Sequence, residues 1–248
     1  MTETDTQLAY RIANAAGELL VRVQRSGLFE GKTLGRVGDQ MSSAFIMAAL
    51  GEHRGRDAVL CEEERDDGTR SSASRVWIVD PLDGTREFGE TRTDWAVHIA
   101  LAVGGVPKLG AVALPGLGLT LSSDNVPGIV QAPGRLRMVV SRTRPAAEAV
   151  AVAAALGAEL VPMGSAGAKA MAVVRNEADI YLHTGGQFEW DSCAPAAVAI
   201  AAGLHVSRLD GSPLVYNNLD PYLPDLLICR KEHAEEVLSQ VASAVSAD

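Results

Sequence analysis

The chain has 248 residues, a formal net charge of −9, 47 % apolar residues and 21 % charged residues. At roughly 150 residues per domain this is one to two domains, long enough to bury a sizeable core. The balance excludes a wholly disordered chain, a collagen-like fibre, a disulfide scaffold and a nucleic-acid binder that works by bulk charge. A small anion held through metal ions stays open, and an acid excess suits carboxylates that hold cations.

The N-terminal Met1-Thr2-Glu3-Thr4-Asp5 is acidic where a signal peptide would be basic. The first periodic segment runs from Gln7 to Arg25, with Leu8, Ile12, Ala15, Leu19 and Val23 recurring every three to four residues and Gly27 as a stop. A second helix is predicted over Asp39 to His53. The middle of the chain reads as strands: Ala58 to Cys61, Arg75 to Val79 ending at Asp80-Pro81, then Trp95 to Val103 and Lys108 to Leu114 flanking a Gly104-Gly105 hairpin, then Leu119 to Ser122.

After a Gly128–Gly134 stretch, strand and helix alternate. Strands are predicted at Leu136–Ser141, Ala158–Pro162, Asp179–His183 and Asp225–Cys229. Helices are predicted at Pro145–Leu156, Ala166–Arg175, Asp191–Ala202 and Lys231–Val245. The order implies an N-terminal α+β part over residues 1–135 and a C-terminal α/β part over residues 136–248. The longest apolar stretch, Ala194 to Ala202, is too short to span a bilayer. Three widely spaced cysteines, Cys61, Cys193 and Cys229, suit a reducing cytoplasm.

The segment Asp80-Pro81-Leu82-Asp83-Gly84-Thr85 carries the most chemistry. Two carboxylates follow a buried strand, three residues apart. Pro81 fixes one backbone angle between them, Gly84 permits a tight turn, and Thr85 opens a short helix whose free amides favour an anion. Carboxylates held this close repel unless a cation lies between them, and hard oxygen ligands favour Mg²⁺ or Mn²⁺. As an isolated pattern, Asp-x-x-Asp is also an ordinary turn. Cys61-Glu62-Glu63-Glu64 ends the neighbouring strand and reads either as a ligand source or as a solvated acidic loop. Asp191 and Asp39 stand near helix starts, where Asp is a good N-cap.

Glu62-Glu63, the Asp80–Thr85 motif and Trp190-Asp191-Ser192-Cys193-Ala194, in that order, resemble the inositol monophosphatase superfamily of magnesium-dependent, lithium-sensitive small-molecule phosphatases. Gly164-Ser165-Ala166-Gly167-Ala168-Lys169 and Gly185 to Asp191 resemble its CysQ branch. The resemblance covers most of the chain and implies a layered αβαβα sandwich of the inositol monophosphatase/fructose-1,6-bisphosphatase type. It implies removal of the 3′-phosphate of 3′-phosphoadenosine 5′-phosphate to leave AMP, with inositol monophosphatase or fructose-1,6-bisphosphatase activity as the alternative. A non-catalytic nucleotide or metal sensor is a more distant one.

By the same resemblance Glu62, Asp80, Asp83 and Asp191 are metal ligands together with the Leu82 carbonyl, holding two or three Mg²⁺ with Mn²⁺ as a substitute. Glu62 is preferred to Glu63 as the first of its pair. Thr85 orients the attacking water, Glu62 and Asp83 complete the catalytic set, and the amides of Gly84 and Thr85 hold phosphate oxygens. Ser165 and Lys169 are candidates for a second phosphate, although Lys169 also reads as a solvated helix lysine. Asp39 either completes a third metal site or caps its helix. The implied partner is a small phosphorylated substrate, with no nucleic-acid polymer and no membrane; a homodimer is a family expectation. Haloacid-dehalogenase chemistry, which uses Asp-x-Asp-Gly-Thr, is excluded because Pro81 stands where the first, nucleophilic aspartate is needed. Gly27 to Thr33 fails as a P-loop because it is one residue short and follows a helix.

Overall fold

The computed structural model describes residues 3–130 and 134–245, so part of the Gly128–Gly134 stretch lies outside it. Among the described residues, ten strands form two sheets. The first contains β1 (Ala58–Cys61), β2 (Arg75–Asp83), β3 (Ala96–Val103), β4 (Val106–Leu114) and β5 (Leu119–Ser122), neighbours in chain order. Only β1 and β2 pair in parallel there. The second contains β6 (Arg137–Ser141), β7 (Glu159–Met163), β8 (Ile180–Phe188), β9 (His205–Ser207) and β10 (Tyr222–Cys229) in the order β7-β6-β8-β10-β9. Its β6 runs parallel to β7 and β8, while β10 is antiparallel to both neighbours.

Seven helices complete the layers: α1 (Asp5–Arg25), α2 (Gly31–Arg54), α3 (Thr85–Gly89), α4 (Ala147–Ala155), α5 (Ala166–Val174), α6 (Glu189–Ala201) and α7 (Lys231–Val245). Helices α1 and α2 cover the outer face of the first sheet, α5 and α6 lie between the sheets, and α4 and α7 cover the outer face of the second. This is the αβαβα sandwich. The strand alternation accounts for it. In β2, Val76 and Ile78 face the central layer while Trp77 and Val79 face α1 and α2. In β8, Tyr181 faces the central layer while Ile180 and Leu182 face α4 and α7. Both faces of each sheet are therefore covered, and the strands read as nearly continuous apolar runs.

Helix α1 begins on a reciprocal cap. The Thr4 hydroxyl accepts the Gln7 N–H at 3.2 Å, and the Gln7 side-chain oxygen accepts the Thr4 N–H at 3.0 Å. Its buried stripe of Leu8, Ile12, Ala16 and Leu20 lies against the first sheet. Helix α2 starts at Gly31, well before the predicted start at Asp39. Glycines at 31, 35 and 38 lower helix propensity and hide the pattern. Gly35 and Gly38 allow α2 to press closely on Thr85, Leu82 and Phe88.

Three strands differ from expectation. β2 does not stop at Asp80-Pro81 but continues through a bulge: Asp80 pairs with His98 and Asp83 with Ala96, so one extra residue is accommodated. Proline is tolerated there because a bulge interrupts the ladder. β8 continues past His183 to Phe188, where Gly185 and Gly186 weaken the strand signal. The three-residue β9 is too short to register as a pattern.

Candidate active site

The bulge in β2 builds one wall of the site. Asp80 and Asp83 flank it, and Asp191 arrives on the first turn of α6. One carboxylate oxygen of each lies within 4.8 Å of the other two. The Asp80 carboxylate accepts the Leu82 N–H at 3.0 Å, which fixes the bulge from within. Asp83 accepts the Ala166 and Gly167 N–H groups at 3.1 and 2.6 Å, so the free amides at the start of α5 hold it. Asp191 accepts the Phe188 N–H at 2.7 Å, reaching back as a third-position cap rather than standing as the N-cap. Capping uses only part of a carboxylate's acceptor capacity.

The electrostatics distinguish the three. Burial and the neighbouring charges of Glu62, Asp83 and Asp191 push the Asp80 carboxyl well above its usual range. Burial and the charge of Asp83 raise Asp191 to about 7. Burial also works to raise Asp83, but His98 and the α5 amides outweigh it and hold Asp83 below its usual range. Glu62 follows β1 at the rim. Its side chain reaches solvent and stands outside the tight trio, yet local enclosure and the charge of Asp191 raise its carboxyl to about 7. Glu63 acts instead on Asp39, which burial and the Glu63 charge raise to about 7. Glu62 thus lies within electrostatic reach of the trio, whereas Glu63 acts on Asp39 and on Glu62 itself.

Asp39 lies inside α2 and does not cap it; its carboxylate accepts the Thr85 hydroxyl at 3.2 Å. That hydroxyl has a second acceptor in the Leu82 carbonyl, also at 3.2 Å. Gly84 adopts φ 89°, and a Cβ there would stand 2.9 Å from the Ser165 Cβ and 3.3 Å from that of Trp95. No other residue tolerates both the backbone and the space. Ser165 caps α5 by accepting the Ala168 N–H at 3.0 Å. Lys169 is buried, unlike a solvated helix lysine. Its ammonium donates to the carbonyls of Ser165, at 2.7 Å, and Gly164, and lies 5.4 Å above the Tyr181 ring. Burial lowers its pKa, while the nearby charges of Asp83 and Asp191 act the other way.

Sequence reasoning missed two features. One is His98, fully buried, with Nδ1 3.0 Å from the Trp190 carbonyl and Nε2 3.2 Å from Asp83 Oδ2. Burial lowers the pKa of the ring, but Asp83 more than compensates and the net shift is upward. The signal available was one histidine within the apolar run Trp95–Val103. The other is a cavity of about 250 Å³ that opens on Asp83, Gly84 and Thr85 and carries Arg86, Arg142 and Arg144 on its walls. Two of these arginines follow β6 directly, at the end of a strand where α/β folds place ligand sites.

Asp80, Asp83 and Asp191 are oxygen donors only. Among the described residues, no Lys or Arg forms an ion pair with Asp80 or Asp191. A largely enclosed set of carboxylates in which only Asp83 has a direct cationic partner, His98, fits hard divalent cations.

The sandwich and this acidic centre define the class. The chain belongs to the inositol monophosphatase family, a family of metal-dependent phosphatases; the family model matches residues 1–246. Within it, the chain is 49 % identical to the 3′-phosphoadenosine 5′-phosphate phosphatase of Mycobacterium leprae, over 96 % of this chain and 93 % of that protein. It is 51 % identical to the protein of the same name from Mycobacterium tuberculosis, over 92 % and 90 %. The crystal structure of CysQ from Bacteroides thetaiotaomicron superimposes with a TM-score of 0.80 at 25 % identity, over 92 % of this chain and 98 % of that one.

Proposed function

We propose that this chain is a Mg²⁺-dependent phosphomonoesterase that releases the 3′-phosphate of 3′-phosphoadenosine 5′-phosphate to give AMP and phosphate. The relatives at 49 and 51 % identity carry that activity in their names. The observation that carries the substrate choice is the arginine-walled cavity beside Asp83, Gly84 and Thr85. A substrate with one phosphate at the trio and a second some distance away finds cations for the second, whereas a monophosphorylated polyol leaves them without a partner.

Glu62, Asp80, Asp83, Asp191 and the Leu82 carbonyl would hold the metal ions. Bound there, Mg²⁺ supplies an acidified water and neutralises charge on the phosphoryl and leaving oxygens. The chain's own residues do the rest. The Thr85 hydroxyl directs its proton to Asp39 or to the Leu82 carbonyl, so its lone pairs orient the attacking water. Glu62 and Asp39 are the carboxylates that accept the proton released by that water. The amides of Gly84 and Thr85 receive phosphate oxygens. Lys169 and Ser165, the sequence candidates for a second phosphate, are instead engaged within α5, Lys169 with the Gly164 and Ser165 carbonyls and Ser165 as the cap, and so keep in place the helix terminus whose amides hold Asp83.

No helix among the described residues is long and apolar enough to cross a membrane, and a cytoplasmic location accords with three free cysteines. A homodimer is part of the proposal and sedimentation tests it. The deciding assay measures phosphate release from 3′-phosphoadenosine 5′-phosphate, inositol 1-phosphate and fructose 1,6-bisphosphate, each with Mg²⁺, with chelator and with Li⁺. The nucleotide bisphosphate is expected to show the highest kcat/KM, with loss of activity in chelator and inhibition by Li⁺. A higher kcat/KM for inositol phosphate or fructose bisphosphate overturns the substrate assignment.

A further inference from the structure

The acid-bearing elements come from distant parts of the chain: Asp83 sits on β2 and Asp191 on α6. One side chain touches both segments. His98 lies on β3, with no solvent exposure, opposite Asp80 in the strand register. Its Nδ1 donates to the carbonyl of Trp190, the residue next to Asp191, at 3.0 Å. Its Nε2 lies 3.2 Å from Asp83 Oδ2.

We propose that His98 is a positioning residue that sets the gap between Asp83 and the Trp190–Asp191 turn, and thereby the affinity of the acidic trio for its divalent cation.

Three independent observations support this. The ring is buried with acceptors at both nitrogens, so each nitrogen fixes one edge of the site. Nε2 is buried and forms no hydrogen bond with any other group among the described residues, so the Asp83 carboxylate at 3.2 Å is the polar group it faces. The third is Gly167. A Cβ at 167 would collide with Nε2 of His98, and would stand 3.0 Å from the Ala96 Cβ. The glycine leaves room for the ring in the same turn whose N–H holds Asp83 Oδ2 at 2.6 Å. The Asp83 oxygen therefore has two supports, an amide and an imidazole, that fit only around each other. Groups that orient metal-binding carboxylates act on affinity for the ion rather than on the reaction itself.

The inference rests on reading the trio as a cation site, but not on the substrate. The test uses the metal-stripped full chain, Mn²⁺ as probe and calorimetry without substrate. His98→Asn keeps an amide where Nδ1 stands and loses the reach to Asp83; His98→Gln does the reverse. Both variants are expected to fold and to bind Mn²⁺ at least about tenfold more weakly. The metal concentration for half-maximal activity should rise by a similar factor, while kcat at saturating metal stays within about threefold of the parent. His98→Gln, which still reaches Asp83, should retain more affinity than His98→Asn. Binding within about twofold of the parent by both variants overturns the proposal. So does failure of both to fold by circular dichroism, which would make the ring a packing element. A parent chain that binds no Mn²⁺ overturns the cation site itself; one that binds Mn²⁺ but spares the nucleotide bisphosphate overturns only the substrate reading.

Discussion

Two aspartates of nearly equal burial behave in opposite ways. Asp179, 4 % exposed, precedes β8; Asp80, 1 % exposed, sits in the β2 bulge. Asp179 receives the Arg137 backbone N–H at 2.9 Å and pairs with the guanidinium groups of Arg137 and Arg230 at 3.1 and 3.0 Å. Burial works to raise it, but Arg137 prevails and its pKa falls below the usual range. Asp80 meets Glu62, Asp83 and Asp191 instead and is driven well above that range. Burial alone therefore does not distinguish a structural carboxylate from a functional one; the sign of what surrounds it does. The paired cluster is complete within the protein. The unpaired one is complete only when positive charge enters from outside.

The strongest test removes one charge from the unpaired cluster. Asp80→Asn keeps an oxygen for the Leu82 N–H but deletes a metal-binding carboxylate. With several kcal/mol of transition-state stabilisation at stake, kcat/KM in Mg²⁺ should fall by about 1000-fold. The metal-free protein should melt at a higher temperature, because the repulsion is relieved. A variant that loses activity and also loses stability would show that Asp80 is part of the fold rather than a strained site.

The paired cluster should answer the other way. Asp179→Ala leaves Arg230, 3 % exposed, as a buried charge short of its partner. It should cost about 3 kcal/mol of stability, read as a lower urea midpoint. Activity of the folded fraction should be unchanged, since Asp179 lies away from the trio.

A pH series on metal-free protein separates the clusters without mutation. Asp191 and Glu62 reach about 7 in the folded chain against 3.8 and 4.5 in the reference state. Their folded forms bind protons more tightly than the unfolded chain does. The stability this gives is fully present below about pH 4 and is lost as pH rises through about 7. Asp179 has the opposite sign: its contribution is present above 3.8 and is lost as pH falls below that. In chelator the melting temperature should therefore fall between about pH 4 and about pH 7, and saturating Mg²⁺ should flatten that slope. A melting temperature that rises over the same interval would mean the trio is already compensated by the protein.

The same contrast explains how much was legible in the sequence. The layered fold was readable because covered sheets give apolar runs and the alternation with helices gives the order. Asp80, Asp83 and Asp191 were legible as one set only through the family resemblance of their motifs; taken alone, the first two also read as a turn and the third as a helix cap. What pairs with what was not legible. Arg230 meets Asp179 at a sequence separation of 51, and His98 meets Trp190 at one of 92, as register and packing decide. Lys169 read either as a phosphate ligand or as a solvated helix lysine, because its helix position carries no mark of burial. The start of α2 was hidden by glycines selected by close packing on Thr85 and Phe88, a tertiary requirement that overrides local propensity.

The smallest effect concerns whether cations divide as the anions do. Arg142 is engaged, pairing with Glu87 at 2.9 Å and Glu90 at 3.0 Å across to α3. Arg144 shares the cavity wall and, among the described residues, forms no ion pair. Guanidinium groups without an ion pair among the described residues, Arg144 and Arg86, are available to a second phosphate, whereas Arg142 ties the end of β6 to α3. Arg144→Ala should raise KM for the nucleotide bisphosphate by about five- to tenfold, near 1 kcal/mol for an exposed charge contact, with kcat preserved. The effect should shrink with added salt and vanish for a monophosphate. Arg142→Ala should instead loosen α3 and lower kcat, because Thr85 and the Gly84 turn move with that helix. If the two substitutions give the same profile on both substrates, the cavity serves as a general anion funnel and does not discriminate a second phosphate.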